Sequence, residues 1–319
     1  MRRLLALALV FGLVSVGCDK KSKKADKKGE KMAKKSEKEK TNKEETITDK
    51  MAEEHEGDEP VPTGAIEGEP SQPVTGKEVE YAKLDGTAVA GYLSKPKKAE
   101  GKLPGVIVIQ EWWGLNDNIR KMTDLLAGEG YAALAVDLYE GDVAETPKKA
   151  KSLMQNAMGS KERLSKNLQQ AYDYLANEVG APKIGVIGWC FGGGWSLQTA
   201  LMLPKKIDAT VIYYGKLVTD KDSLKPLSMP VIGFFGSEDS AIPPKEVKAF
   251  EQAMRDLDKD VTVEIYEGAN HAFANPSGER YDAKAAADAW QKTIAFLDEH
   301  LAVEAPSEKE SKSKEGGEK

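Results

Sequence analysis

The sequence predicts an α/β domain, a mostly parallel sheet flanked by helices, with a disordered N-terminal tether before it and a disordered C-terminal tail after it. Three observations carry this. Between Lys77 and Leu301, short apolar runs such as "GVIVIQ", "KIGVIGWC" and "PVIGFFG" alternate with stretches of helical periodicity. The runs are apolar throughout, as expected of parallel strands buried on both faces. On either side the composition shifts to Lys, Glu, Pro and Gly, with too few branched or aromatic residues to build a core.

Taken in order, "KEVEYAKL" and "AVAGYL" alternate like an antiparallel hairpin turned by "DGT". The strand "GVIVIQ" is followed by a helix over "DNIRKMTDLLAGEG", whose Met122, Leu125 and Leu126 share a side. Then come the strand "YAALAVDL", helices over "TPKKAKSLMQNAM" and "KERLSKNLQQAYDYLANEV", and the strand "KIGVIGWC". A helix over "GGWSLQTALML", strands "DATVIYY" and "PVIGFFG", a helix over "PKEVKAFEQAMRDL", the strand "VTVEIYEG" and a closing helix over "DAKAAADAWQKTIAFLDEHL" complete the domain.

The first 18 residues, "MRRLLALALVFGLVSVGC", have the parts of an export signal: Arg2 and Arg3, an apolar run from Leu4 to Val14, and small residues before Cys18. The run falls short of the roughly 20 apolar residues that span a bilayer. "SVGC" resembles the lipobox of bacterial lipoproteins, which implies lipidation of Cys18, a membrane anchor and exposure to the periplasm or cell surface. Residues 19–76 are predicted to be a solvated tether, 77–303 the folded domain and 304–319 a tail. The net charge is −6 with both signs abundant, and no basic face interleaved with aromatics appears, so no nucleic-acid partner is expected.

Of the two cysteines, Cys190 lies in "GWCFGGG" at a strand-to-helix junction. Gly188-x-Cys190-x-Gly192 has the spacing of a nucleophile elbow with Cys in place of Ser. Glycines are needed there because a Cβ would collide with neighbouring backbone, and the helix that follows points its positive end at the sulfur. A thiol nucleophile needs a base, and the chain has three histidines. His55 falls in the tether and His300 at the end of the last helix, which leaves His271 in the loop "ANHAFAN". The acid is sought between nucleophile and base, after a late strand; "GFFGSEDSAIPP" offers Glu238 and Asp239. With one cysteine and one candidate histidine, His271, left in the domain, no metal is implied. "GWCFGGGWS" lacks the G-K-[ST] ending of a phosphate loop, so no cofactor is implied either.

Together "QEWWGLN", "GYAALAVDLY", "GWCFGGG", "YYG", "GSEDSAIP" and "EGANHAF" resemble the dienelactone hydrolase (carboxymethylenebutenolidase) family of α/β-hydrolases. The resemblance selects Asp239 as the acid, by its spacing to "IPP". It implies that Glu111 lies beside the thiol and governs its ionisation, and that the backbone NH groups of Phe191 and Trp112 form an oxyanion hole. Trp113 and Tyr139 would line the pocket mouth. Lactone hydrolases of the family hold the substrate carboxylate with two arginines; here the matching positions carry Asn275 and, in "ETPKKAKS", Lys148 or Lys149. A lysine lacks the bidentate fork that recognises a carboxylate, so the hydrolytic core carries over and the dienelactone substrate does not. The expectation is a hydrolase of a small ester or lactone working through an acyl thioester. The alternatives are a non-catalytic surface binding lipoprotein on the same fold and a thioesterase or peptidase-like hydrolase.

Overall fold

A computed structural model describes residues 48–56, 58, 60, 68–99 and 101–303. The export signal with Cys18, most of the tether and the tail from 304 onward lie outside the described residues. One eight-stranded sheet organises the domain, in the order β1-β2-β4-β3-β5-β6-β7-β8. The strands are β1 (Val74–Leu84), β2 (Thr87–Pro96), β3 (Gly105–Ile109), β4 (Ala132–Val136), β5 (Ile184–Trp189), β6 (Ala209–Tyr213), β7 (Val231–Gly236) and β8 (Val261–Tyr266).

The hairpin β1–β2 is antiparallel and turns through Asp85 and Gly86, both with positive φ as a type I′ turn requires. β2 meets β4 antiparallel, and every pairing from β4 to β8 is parallel. All residues of β3, β4, β5, β6 and β7 are buried, as their unbroken apolar runs require.

Helices close both faces: α2 (Asp117–Gly128), α3 (Pro147–Met158), α4 (Lys161–Asp173), α5 (Phe191–Met202), the short α6 (Lys221–Leu224), α7 (Pro244–Arg255) and α8 (Ala283–Leu301). The long periodic stretch after α3 divides, because its last turn over Tyr174–Val179 winds as a π-helix before Gly180 stops it at φ 76°. Among the described residues, no helix is long and apolar enough to cross a membrane.

The folded chain reaches back beyond Lys77. β1 starts at Val74, and residues 48–54 form a helix, α1, inside the stretch expected to be solvated tether. Met51 and His55, four residues apart and so on one helical face, are each 1% exposed. Thr48 is buried as well, but Met51 is the one large apolar side chain that α1 buries. We therefore expect Met51→Asp to release this segment: tryptic cleavage at Lys50 of the full chain should accelerate at least tenfold, while the thermal midpoint of the domain moves little.

Candidate active site

The parallel strands end together, and the loops beyond their C-terminal ends bring the candidate residues to one place, as open α/β sheets generally do. Cys190 stands between β5 and α5 at φ 54° and ψ −115°, a backbone conformation that L-residues rarely adopt. Its neighbours make that turn possible by lacking side chains. A Cβ on Gly188 would lie 2.3 Å from the carbonyl oxygen of Gly192, and one on Gly192 would lie 2.4 Å from the carbonyl oxygens of Ile109 and Gln110. The elbow is thus wedged between β3 and the start of α5.

His271 follows β8 in a loop whose next residue, Ala272, takes φ 60°. Its Nε2 is 3.3 Å from Cys190 Sγ, and its Nδ1 is 2.8 Å from Asp239 Oδ2. A carboxylate can only accept, so Nδ1 carries the hydrogen and Nε2 faces the sulfur. Asp239 is fixed in turn through Oδ1, which accepts from the backbone NH groups of Ala241 at 2.9 Å and Ile242 at 2.8 Å. Glu238, the other carboxylate considered from sequence, is exposed. Cys190, His271 and Asp239 are all buried.

Burial opposes ionisation of the Cys190 thiol, but the positive charge and hydrogen bond of His271 outweigh it and bring the thiol down to about 6. Burial likewise opposes protonation of His271, yet Asp239 and the sulfur raise it well above the usual imidazole range. Each partner thus favours the charged form of the other, thiolate beside imidazolium. Asp239 stays below the ordinary carboxyl range: burial would raise it, and His271 with the two backbone donors overcomes that.

Glu111 is buried just past β3. Its Oε2 accepts from Asn275 Nδ2 at 2.6 Å and its Oε1 from the Tyr214 hydroxyl at 3.4 Å. Burial first, and the nearby sulfur second, push its carboxyl up to about 7. Glu111 lies close enough to the thiol for their charges to interact, as the family resemblance implied, while the groups that lower the thiol are His271 first and His55 second. Glu111 is the group that yields, since two anions in one dry site repel. Asn275, expected at a substrate carboxylate, faces Glu111 instead.

Trp112 and Trp113 are 0% and 1% exposed and meet edge to face at 5.0 Å. Tyr139 is buried, with its ring 5.7 Å from that of Phe191. These side chains are walls of a closed site rather than its mouth. Lys148 is exposed on α3, and Lys149 pairs with Asp142 at 3.3 Å, so neither takes the place of the family's second arginine.

His55, set aside from sequence as part of the tether, lies at the site. Its ring stacks on Trp112 at 4.5 Å, stands edge-on to His271 at 5.6 Å, and its Nδ1 lies 2.6 Å from Asp58 Oδ2. Arg280 ties this segment to the site: Nη2 donates to Asp58 at 2.7 Å and Nε to the carbonyl oxygen of His271 at 3.1 Å. The argument that the domain offers only one histidine beside its cysteine is overturned, because His55, Cys190 and His271 cluster. A cavity of about 450 Å³ lies between α2 and α8, lined by Met122, Leu125 and Trp290 and, on the side of the site, by Glu111, Tyr214 and Asn275.

The family model for the dienelactone hydrolase family matches residues 89–301. The chain belongs to that family. A dienelactone hydrolase-family chain is a hydrolase of the ester and lactone type, and relatives match the domain over nearly their whole lengths. "Protein usf" of Aquifex pyrophilus is 35% identical over 233 residues, covering 71% of this chain and 99% of its own. A Saccharolobus solfataricus protein named "Putative carboxymethylenebutenolidase" is 32% identical, covering 69% of this chain and 97% of its own. A Klebsiella pneumoniae structure titled "Putative Dienelactone Hydrolase" superposes with a TM-score of 0.64 at 29% identity, covering 71% of this chain and 99% of that one. The family-wide part of the chain begins well after α1, so His55 and Asp58 stand outside the residues matched by the family model.

The glycine contacts yield a direct test. Gly192→Ala should lower unfolding stability in urea by about 1–3 kcal/mol, because the new methyl group meets backbone that cannot swing aside. Gly159→Ala, at a helix end with φ −67°, should stay within about 0.5 kcal/mol of the parent.

Proposed function

We propose that this hydrolase cleaves a small ester or lactone through an acyl thioester on Cys190. The observation that carries the reading is the line Asp239, His271, Cys190, joined at 2.8 and 3.3 Å with the acid itself anchored by two backbone donors. The Cys190 thiolate attacks the carbonyl carbon, and the carbonyl oxygen becomes an oxyanion. His271, protonated on Nε2, gives that proton to the leaving alkoxide, then takes one from water so that hydroxide can attack the thioester. Asp239 keeps Nδ1 protonated and the ring aligned.

Two backbone NH groups are suited to the oxyanion. Phe191 is the first residue of α5, where NH groups have no intrahelical acceptor, and Trp112 follows Glu111 on the adjoining loop. The role we assign to Glu111 is electrostatic: as a neutral carboxyl it tolerates the thiolate, and as the sulfur becomes acylated it can ionise. Cys190 and His271 are 0% exposed, so the cover of the site must open for a substrate to reach the sulfur, and the segment carrying His55 is one part of that cover. The missing arginine pair, with Asn275 turned to Glu111, favours esters and lactones that lack a carboxylate partner group. We further propose, from the export signal and "SVGC", that lipidated Cys18 anchors the enzyme to a bacterial membrane facing the periplasm or cell surface.

A panel of p-nitrophenyl esters and simple lactones tests the reaction. With the full chain, Cys190→Ala and His271→Ala should each abolish turnover, and Asp239→Asn should reduce kcat about 10³-fold or more. Turnover that survives Cys190→Ala would place the chemistry elsewhere.

A further inference from the structure

The established family chemistry uses one imidazole at the sulfur, and this chain has two. One ligand-capable atom from each of His55, Cys190 and His271 lies within 4.8 Å of the other two, and all three side chains are buried. Thiolate and imidazole are the donors that zinc prefers, and a tetrahedral zinc with ordinary bond lengths sets such atoms about 3.3–3.6 Å apart. His271 Nε2 and Cys190 Sγ already meet that spacing at 3.3 Å.

The surroundings of the two histidines are those of metal ligands. Each Nδ1 lies against a carboxylate, His55 on Asp58 at 2.6 Å and His271 on Asp239 at 2.8 Å. That arrangement holds a hydrogen on Nδ1 and leaves Nε2 as the ring atom that a metal can take once its proton is displaced, and it strengthens the nitrogen as a donor. Nε2 of His271 faces the sulfur. Nε2 of His55 is buried and makes no hydrogen bond of ordinary geometry among the described residues, its nearest acceptor being the Cys190 sulfur, whose ionisation it favours. Arg280 neutralises Asp58 and joins it to the His271 loop, so the two imidazoles are braced against one another. The stacking of His55 on Trp112 fixes its ring plane.

We propose that His55 Nε2, Cys190 Sγ and His271 Nε2 form a binding site for zinc at the nucleophile, complete when His55 is docked. Binding replaces the S–H bond, or the ion pair with His271, by an S–Zn bond and releases the displaced proton to water. The fourth zinc position is left to water or a small anion. In this state the sulfur can neither attack a carbonyl nor be oxidised, and release of His55 together with the metal restores it. The site goes beyond the hydrolytic reading and does not depend on it, since its ligands are counted by metal binding rather than by turnover.

The experiment is a titration of the reduced, metal-free full chain with Co²⁺ as spectroscopic probe, followed by Zn²⁺ competition against a chromogenic chelator. One cobalt per chain should bind, with near-ultraviolet thiolate-to-cobalt absorption and visible bands of a tetrahedral site, and zinc should displace it. Cys190→Ser should remove the thiolate band. His55→Ala should weaken zinc at least tenfold, and Asp58→Asn, which keeps all three ligands, should weaken it about 10-fold to 100-fold. Circular dichroism establishes that each variant is folded, and the Asp58 variant serves if His55→Ala is not. Absence of the thiolate band in the parent chain, or undiminished zinc affinity in both the His55 and Asp58 variants, overturns the proposal. Ester turnover by the metal-free parent chain is scored separately, so failure of this site and failure of the thioester reading are distinguishable.

Discussion

The turn at Cys190 is the constraint on which the rest of the site depends. A non-glycine residue held at positive φ survives only where its surroundings over-determine it, and here they do. Gly188 and Gly192 let the backbone of β5, α5 and β3 approach closely, Cys190 NH is held by the Tyr213 carbonyl oxygen at 3.0 Å, and the sulfur emerges at the first turn of α5. Once the sulfur is placed there, the loops after β7 and β8 need only bring Asp239 and His271 into line. The electrostatics then follow from burial: in a dry site the thiolate and imidazolium stabilise each other, and Glu111, without a cation of its own in contact, gives up its charge most readily.

Most of this frame is legible in the sequence because it rests on local chemistry. Unbroken apolar runs mark β3 to β7, "DGT" marks a turn that only positive-φ residues make, and the glycines around Cys190 mark close backbone approach. Asp239 and His271 are legible through strand-end position and chain order. What is not legible is long-range. Lys148 shares a segment with the family's arginine position, yet the helical phase of α3 turns it to solvent. Asn275 and Tyr214 converge on Glu111 from different loops, which no local pattern reveals.

His55 shows the limit most clearly. Composition assigns its neighbourhood to a tether, and by composition the assignment is sound. The signal that escapes such an average is small: Met51 and His55 on one helical face, and Asp58 three residues on, placed to meet the Nδ1 of His55. Arg280, nine residues after His271, is equally inconspicuous until the fold sets it between Asp58 and the His271 carbonyl. Docking rests on the buried Met51, the stacked imidazole of His55, the pairing of Asp58 with Arg280, and surface contacts from Asp49 to Lys151 and from Glu54 to Ser240.

The central claim is that Cys190 forms a covalent acyl intermediate. It is tested most directly by intact-protein mass spectrometry of the metal-free full chain, acid-quenched within the first turnovers of an activated ester. The account predicts a single added acyl mass, mapped to the peptide bearing Cys190 and removed by neutral hydroxylamine as a thioester is. An adduct on another residue, or substrate consumed with no adduct at any quench time or in a deacylation-slowed Asp239→Asn chain, would contradict it.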